Sequence, residues 1–169
     1  WNNDLTIDPV SNTVWIGGNA GTGIGGMMKF DGQRWLCFNQ ATYGLGFEWP
    51  FNNDDCHTLV YRESNGNLAI SPLNWLIGIY EWNGTGFNTL LPAGGAQKLT
   101  EDSQGRLWAL GEYFSLNYYS GGTWTPVDLI GWGNCIMKDP SREGTVWAGT
   151  SNQILRTDGT YNFSRSPED

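Results

Sequence analysis

"DPSREGTVWAGT", residues 139–150, decides how this chain is read. An Asp opens it, a polar turn follows, and an aliphatic residue, a Trp and a small-residue pair close it. The arrangement recurs in "DPVSNTVWIGG" (8–18) and "EDSQGRLWALG" (101–111), and in eroded form in "RESNGNLAISP" (62–72), where Ala69 stands at the Trp position. The repeated position is therefore Trp15, Ala69, Trp108 and Trp147, with 39 residues in each of the last two steps. Downstream of each copy lies a second signature: "FDGQRW" (30–35), "WNGTGF" (82–87), "YSGGTW" (119–124) and the looser "TDGTYNF" (157–163). A motif that recurs at a fixed step is architecture before it is chemistry.

The physics of one copy is legible. Asp8, Asp102 and Asp139 precede turns, where a carboxylate can accept backbone N–H bonds and close the reversal. "TVWIG", "RLWAL" and "TVWAG" then read as short strands rich in β-formers. The Asp-Gly, Asn-Gly and Ser-Gly pairs of the second signature suit hairpin turns that allow positive φ. Trp35, Phe87 and Trp124 follow these turns and begin a last strand. One unit is thus four antiparallel strands, a to d; in the fourth they are "CIMKD", "TVWAG", "QILRT" and "YNFSR".

A lone sheet of this kind is apolar on both faces, so neighbouring units must cover it. Four strands per period of about 40 residues predict an all-β protein, a β-propeller of four-stranded blades. The repeated Trp then belongs to the packing between blades. We place all of residues 1–169 in one propeller domain, with blades at 4–39, 55–92, 96–128 and 133–165. No strand is left over for exchange between first and last blades. The four blades either close a ring by side-chain packing or form part of a larger propeller, and a chain beginning at Trp1 suits the second option.

Bulk composition agrees with a turn-rich β-protein. The 169 residues include 24 Gly and 10 Trp, and charged residues make up only 15%, well short of the usual quarter. A formal charge of −8 argues against nucleic acid and anionic membrane as partners, since phosphate binding needs clustered Lys and Arg. No apolar run is long enough for a membrane helix, and "WNNDLTIDPV" lacks the pattern of a signal peptide. Cys37, Cys56 and Cys135 form no CxxC; we expect buried small apolar residues in preference to a Cys37–Cys56 bridge.

At "EDSQGRLWALG" and "DPSREGTVWAGT" the sequence resembles the two-component regulator propeller repeat: Asp, turn Gly, Leu-Trp, small residue, Gly, Thr, then a Gly-rich hairpin. The resemblance covers nearly the whole chain and implies a bacterial propeller that is periplasmic, secreted or displayed at the cell surface. The second blade departs from the pattern in lacking the Trp. "YSGGTW" is also similar to a degenerate Asp-box, a structural turn of sialidases and related propellers.

In a propeller blade the d-to-a and b-to-c loops share one face, and the a-to-b and c-to-d turns share the other. Here the first face carries the long loops 17–26, 39–54, 71–78, 110–117 and 128–133, where binding residues are expected. They offer Trp49, Trp75, Trp132, Tyr43, Tyr113 and Phe114, with Glu48, Asp54, Asp55 and Glu112 nearby. Flat aromatics beside carboxylates can stack on sugar rings or serve as protein hot spots, and equally can fold down as caps on the blades.

Other motifs carry less. "GTGIGG" (21–26) matches GxGxxG, but a dinucleotide site needs a following helix, and Met27–Phe30 read as a strand. His57 is the single histidine and lacks zinc partners at ligand spacing. Asp54 and Asp55 in "FNNDD" could offer oxygens to Ca²⁺, without the alternating loop of a dedicated site, so no cofactor is expected. A catalytic triad would have to use His57 with no nucleophile motif. Arg34, Arg62, Arg106, Arg142, Arg156 and Arg165 fall in strands or short turns, away from the loop-rich face, which argues against sialidase-like recognition. The leading expectation is a non-enzymatic extracytoplasmic module binding a protein or glycan, with further blades or subunits as other candidate partners. The alternative is a carbohydrate-active enzyme using a pair from Glu48, Asp54, Asp55 and Glu112.

Overall fold

The computed structural model describes residues 2–18, 26–39, 56–72, 78–92, 94–111, 115–129, 131–160 and 162–165, and among these there are sixteen strands and no helix. The first sheet holds β1 (Asn2–Asp8), β2 (Thr13–Gly18), β3 (Gly26–Phe30) and β4 (Trp35–Phe38). The second holds β5 (Thr58–Arg62), β6 (Asn67–Ser71), β7 (Ile79–Trp82) and β8 (Phe87–Leu91). The third holds β9 (Lys98–Glu101), β10 (Leu107–Leu110), β11 (Ser115–Ser120) and β12 (Thr123–Asp128). The fourth holds β13 (Gly133–Lys138), β14 (Val146–Thr150), β15 (Ile154–Thr157) and β16 (Asn162–Arg165). All four are antiparallel meanders in chain order, so the strands serve as a, b, c and d of a blade. The GxGxxG segment runs into strand β3, where a nucleotide fingerprint would open a helix.

Side chains close the turns as their types dictate. Asp8 Oδ1 accepts the N–H groups of Val10 and Ser11, and Asp102 and Asp139 do the same for Gln104 and Ser141. At the c-to-d turns Asp31 Oδ1 accepts from Gln33 and Arg34, and Asn83 Oδ1 from Thr85 and Gly86. Gly32 and Gly84 follow at φ 92° and 94°, a region that disfavours a Cβ. An aromatic pair then clamps three of these hairpins: Phe30 with Trp35 at 4.8 Å, Trp82 with Phe87 at 4.9 Å, Tyr119 with Trp124 at 5.2 Å. Each pair sits directly cross-strand, where such contacts contribute most. The fourth hairpin has Thr157 opposite Asn162 instead.

The chain divides into two compact units, Trp1–Gly95 and Ala96–Asp169. Each is a pair of blades stacked face to face around its own core. In the first unit the Trp15 face of one sheet receives Leu59, Leu68, Ile70 and Trp82 of the next. Polar ties flank this core: Thr58 Oγ1 donates to Asp4 Oδ2 at 2.5 Å and the Tyr61 N–H to Thr6 Oγ1 at 3.0 Å. In the second unit the Trp108 face, with Leu110, Leu116 and Val127, receives Val146, Ala148 and Leu155.

Close approach explains the small residue two places after the repeated Trp. A Cβ on Gly17 would lie 2.6 Å from Leu59 Cδ2 and 2.8 Å from Cys56 Sγ. At the same two positions the second unit has Leu110 and Gly133, and there a Cβ on Gly133 would lie 2.5 Å from Leu110 Cγ. The pair has exchanged its large and small members across the blade interface, which keeps the packed volume level. Gly133→Ala is expected to lower stability by about 1–3 kcal/mol through overpacking, and Leu110→Ala in the same chain should recover part of it. Denaturant melts of the single and double variants check this.

Among the described residues, one sheet face of the first blade and one of the last carry exposed large apolar side chains and have no covering sheet within their own unit. On the first blade, the rows Leu5–Ile16–Met28–Cys37 and Ile7–Val14–Phe30–Trp35 form one wholly apolar face, with Leu5, Ile7 and Trp35 exposed. It corresponds row by row to the face of the second blade that receives Trp15. On the last blade, the rows Met137–Trp147–Arg156–Phe163 and Cys135–Gly149–Ile154–Arg165 leave Met137, Ile154 and Phe163 exposed. The expectation of buried cysteines holds for Cys56 alone. Cys37 and Cys135 are exposed because they stand in the outer strands of these two faces.

Candidate functional site

The third and fourth blades build the same arrangement at the end of strand a. In the third blade the Trp108 indole N–H donates to Asp102 Oδ2 at 2.7 Å, and Arg106 Nε donates to the same oxygen at 2.7 Å. The Arg106 guanidinium lies 5.3 Å from the Trp108 ring centre and 5.0 Å from that of Tyr118, within range of cation–π attraction. In the fourth blade Trp147 donates to Asp139 Oδ2 at 3.0 Å and Arg156 Nε to the same oxygen at 2.7 Å, with the guanidinium 5.1 Å from the ring. The two arginines reach one place from different strands: Arg106 precedes β10, whereas Arg156 stands on β15 directly opposite Trp147.

The second blade reverses the charges. Arg62 occupies the Asp position, Glu81 the strand-c position that Arg156 holds in the fourth blade, and Ala69 the Trp position between them. Arg62 Nη1 meets Glu81 Oε1 at 2.6 Å, and Asn65 Nδ2 donates to the same oxygen at 2.9 Å. Loss of the indole is thus accompanied by an ion pair of inverted polarity, closed within the blade.

The first blade has neither solution. The Ser11 hydroxyl donates to Asp8 Oδ2 at 2.5 Å, Thr13 stands where the third blade has Arg106, and Lys29 stands opposite Trp15 with Nζ 5.4 Å from the ring centre. No ion pair joins Lys29 to Asp8 among the described residues. A cleft of about 180 Å³ remains here on the turn-bearing side, lined by Asp8, Thr13, Trp15, Lys29, Tyr61 and Asn83, among others.

Asp139 and Asp8 are pulled down by the hydrogen bonds they accept. The Ser141 hydroxyl, with the Ser141 N–H and Arg156 adding to it against burial, holds Asp139 at about 2, and the Ser11 hydroxyl leads the lowering at Asp8. A carboxyl lowered in the folded state stabilises the fold fully above its unfolded pKa of 3.8, and that stability is lost as pH falls through about 2. Asp139→Asn is therefore expected to flatten the decline in melting temperature between about pH 4 and pH 2. An unchanged acid limb in that variant overturns the assignment.

On the opposite, loop-bearing side, one expected ligand residue is described. Trp132 is 46% exposed on the short d-to-a connection between β12 and β13. Its backbone is braced to the b-to-c loop of the fourth blade: Trp132 N donates to Ser151 Oγ at 3.2 Å and Ser151 N to Trp132 O at 3.0 Å. Gly131, at φ 96°, leaves no room for a side chain, since a Cβ would lie 2.9 Å from Ser151 Oγ. A fixed backbone thus carries a half-exposed indole.

No protein-family model and no curated protein matches this sequence. Solved structures do. The extracellular domain of BT4673 from B. thetaiotaomicron, given as a hybrid two component system, matches 99% of this chain at TM-score 0.70 and 16% identity. The sheets are propeller blades. PorZ, a bacterial surface component of the type-IX secretion system of Porphyromonas gingivalis, matches 98% at TM-score 0.69 and 15% identity. An ancestral GH74 enzyme matches 94% at TM-score 0.69 and 11% identity. At such identities the likeness is one of fold. This chain spans 22%, 27% and 23% of those three chains respectively.

Among the blades, Trp15, Trp108 and Trp147 stand at one position of strand b, and Asp8, Asp102 and Asp139 at one position after strand a. Trp35, Phe87 and Trp124 each begin strand d or stand next to its start. Glu48, Trp49, Asp54, Asp55, Trp75, Tyr113 and Phe114 lie outside the described residues, as do Tyr43 and Glu112. What sequence reasoning passed over is the basic partner of Glu81, Asp102 and Asp139. Arg62, Arg106 and Arg156 were set aside as strand or turn residues, although a lone arginine in a strand of a chain this poor in charge was itself a signal.

Proposed function

We propose that this chain is a non-enzymatic extracytoplasmic propeller module that binds a protein or glycan through the face carrying its d-to-a and b-to-c loops. The observation that carries the reading is Trp132, a half-exposed indole on a backbone locked to the neighbouring loop. Fixing the backbone in advance removes much of the ordering cost of binding, and Trp is the side chain most often found at binding hot spots. The extracellular and surface-component character of two of the matched structures supports the location. On this reading a glycan array and pull-downs give a partner that is bound without turnover.

Trp132→Ala is expected to weaken that binding by roughly tenfold or more, as truncation of a hot-spot residue does. Its melting temperature should stay within about a degree of the parent, because an exposed side chain contributes little to stability. Equal affinity in the variant, or a lowered melting temperature with unchanged affinity, would reject the role. Hydrolysis of an arrayed polysaccharide would instead favour the enzymatic alternative, for which the GH74 match is the supporting observation.

A further inference from the structure

The third and fourth blades show what belongs in the space that the first and second leave open. Arg106 fills it in the second unit. Beyond its bond to Asp102, its Nη1 donates to Asp158 O at 2.8 Å and its Nη2 donates to Gly144 O. Both carbonyls belong to the next blade, Gly144 to its a-to-b turn and Asp158 to its c-to-d turn. One guanidinium therefore joins a carboxylate, two indole or phenol faces and two backbone oxygens across a blade interface.

The carboxylate, the indole and both turns of that receptor have their counterparts in the first unit, while the place of Tyr118, opposite the repeated Trp, is taken by Lys29. Asp8 corresponds to Asp102 and Trp15 to Trp108. Gly66, at φ 74°, corresponds to Gly144 at φ 65°, and Asn83, followed by Gly84 at φ 94°, corresponds to Asp158, followed by Gly159 at φ 94°. All four of Asp8, Trp15, Gly66 and Asn83 line the 180 Å³ cleft, with Tyr61 and Trp82 as further aromatic wall. Thr13 replaces Arg106 and is too short to cross it. Lys29 keeps its ammonium over Trp15 and offers a single point charge in place of a planar fork.

We propose that this cleft is a binding site for the guanidinium group of an arginine side chain presented by a partner polypeptide. A cleft of about 180 Å³ has room for a guanidinium with its last methylenes. Planar, forked donors match the set of carboxylate and turn carbonyls that holds Arg106 in the second unit, and a cation is drawn by the net charge of −8. The cleft lies on the turn-bearing side, so this inference stands apart from the role given to Trp132.

The test uses the whole chain with N-acetylarginine amide as probe and the N-acetyllysine and N-acetylcitrulline amides as controls. Indole N–H resonances of Trp15 and Trp82, assigned through Trp15→Phe and Trp82→Phe, are followed by NMR. Saturable shifts at these indoles with the arginine amide are expected, with none for citrulline and at least roughly tenfold weaker binding for lysine, the loss of one charged hydrogen bond. Thr13→Arg supplies a guanidinium from the Arg106 position, and Lys29→Arg supplies one from the Arg156 position. Either should abolish binding of the probe. Absence of a saturable shift in the parent chain overturns the proposal, as does undiminished binding in whichever of the two filled variants folds.

Discussion

Asp102→Ala will lower the unfolding free energy of the chain by about 3–5 kcal/mol, the cost of removing one partner from a buried ion pair. The carboxylate is fully enclosed and takes bonds from the N–H groups of Gln104 and Arg106, from Arg106 Nε and from the Trp108 indole. Removing it leaves a guanidinium and an indole N–H facing each other with no acceptor between them, at the edge of the core of the second unit. Asp102→Asn keeps the volume and one acceptor oxygen and should cost less, since the turn can still close. Chemical denaturation followed by tryptophan fluorescence separates the two variants. A loss below about 1 kcal/mol for the alanine would place the carboxylate in the range of an exposed pair.

The second large effect concerns the reversed pair of the second blade. Arg62→Asp sets two carboxylates against each other, and Glu81→Arg sets two guanidiniums, in a place where both side chains are about nine-tenths buried. Each single change should cost about 3–5 kcal/mol, because it leaves an uncompensated buried charge. Arg62→Asp with Glu81→Arg restores the polarity of the fourth blade. It should recover stability by up to about 3 kcal/mol beyond additivity, the usual coupling limit for residues in contact. Strict additivity in this double-mutant cycle would mean that the two side chains do not act as a pair. Adding Ala69→Trp to the double variant then asks whether the blade can accept the indole found in its three relatives.

How much of this was legible beforehand follows from the range of each interaction along the chain. The blades could be read because their signals are local: an Asp and its turn span a few residues, an Asx-Gly hairpin still fewer, and the 39-residue step from Ala69 to Trp108 to Trp147 needs only counting. Complementarity between blades could not. That Gly17 with Cys56 does the same work as Leu110 with Gly133 depends on which residue of one sheet meets which of the next, and a meander carries no mark of that register. Arg62 and Glu81 are 19 residues apart and become partners only when strands a and c lie on either side of Ala69. The loop aromatics are hardest of all: Trp132 and Trp49 obey no period, so nothing in the sequence sets which way an indole points. Ser151 holds the Trp132 backbone, a relation visible only once the b-to-c loop of the fourth blade is in place.

Every inter-strand ladder among the described strands joins neighbours in sequence and ends within its own blade. A recombination event that inserts or removes one whole repeat therefore breaks no ladder and shifts no register; it exchanges only which side-chain faces meet. Blade number is in this sense a gene-level variable, set by duplication and trimmed by deletion, while selection for solubility acts on the outermost faces alone.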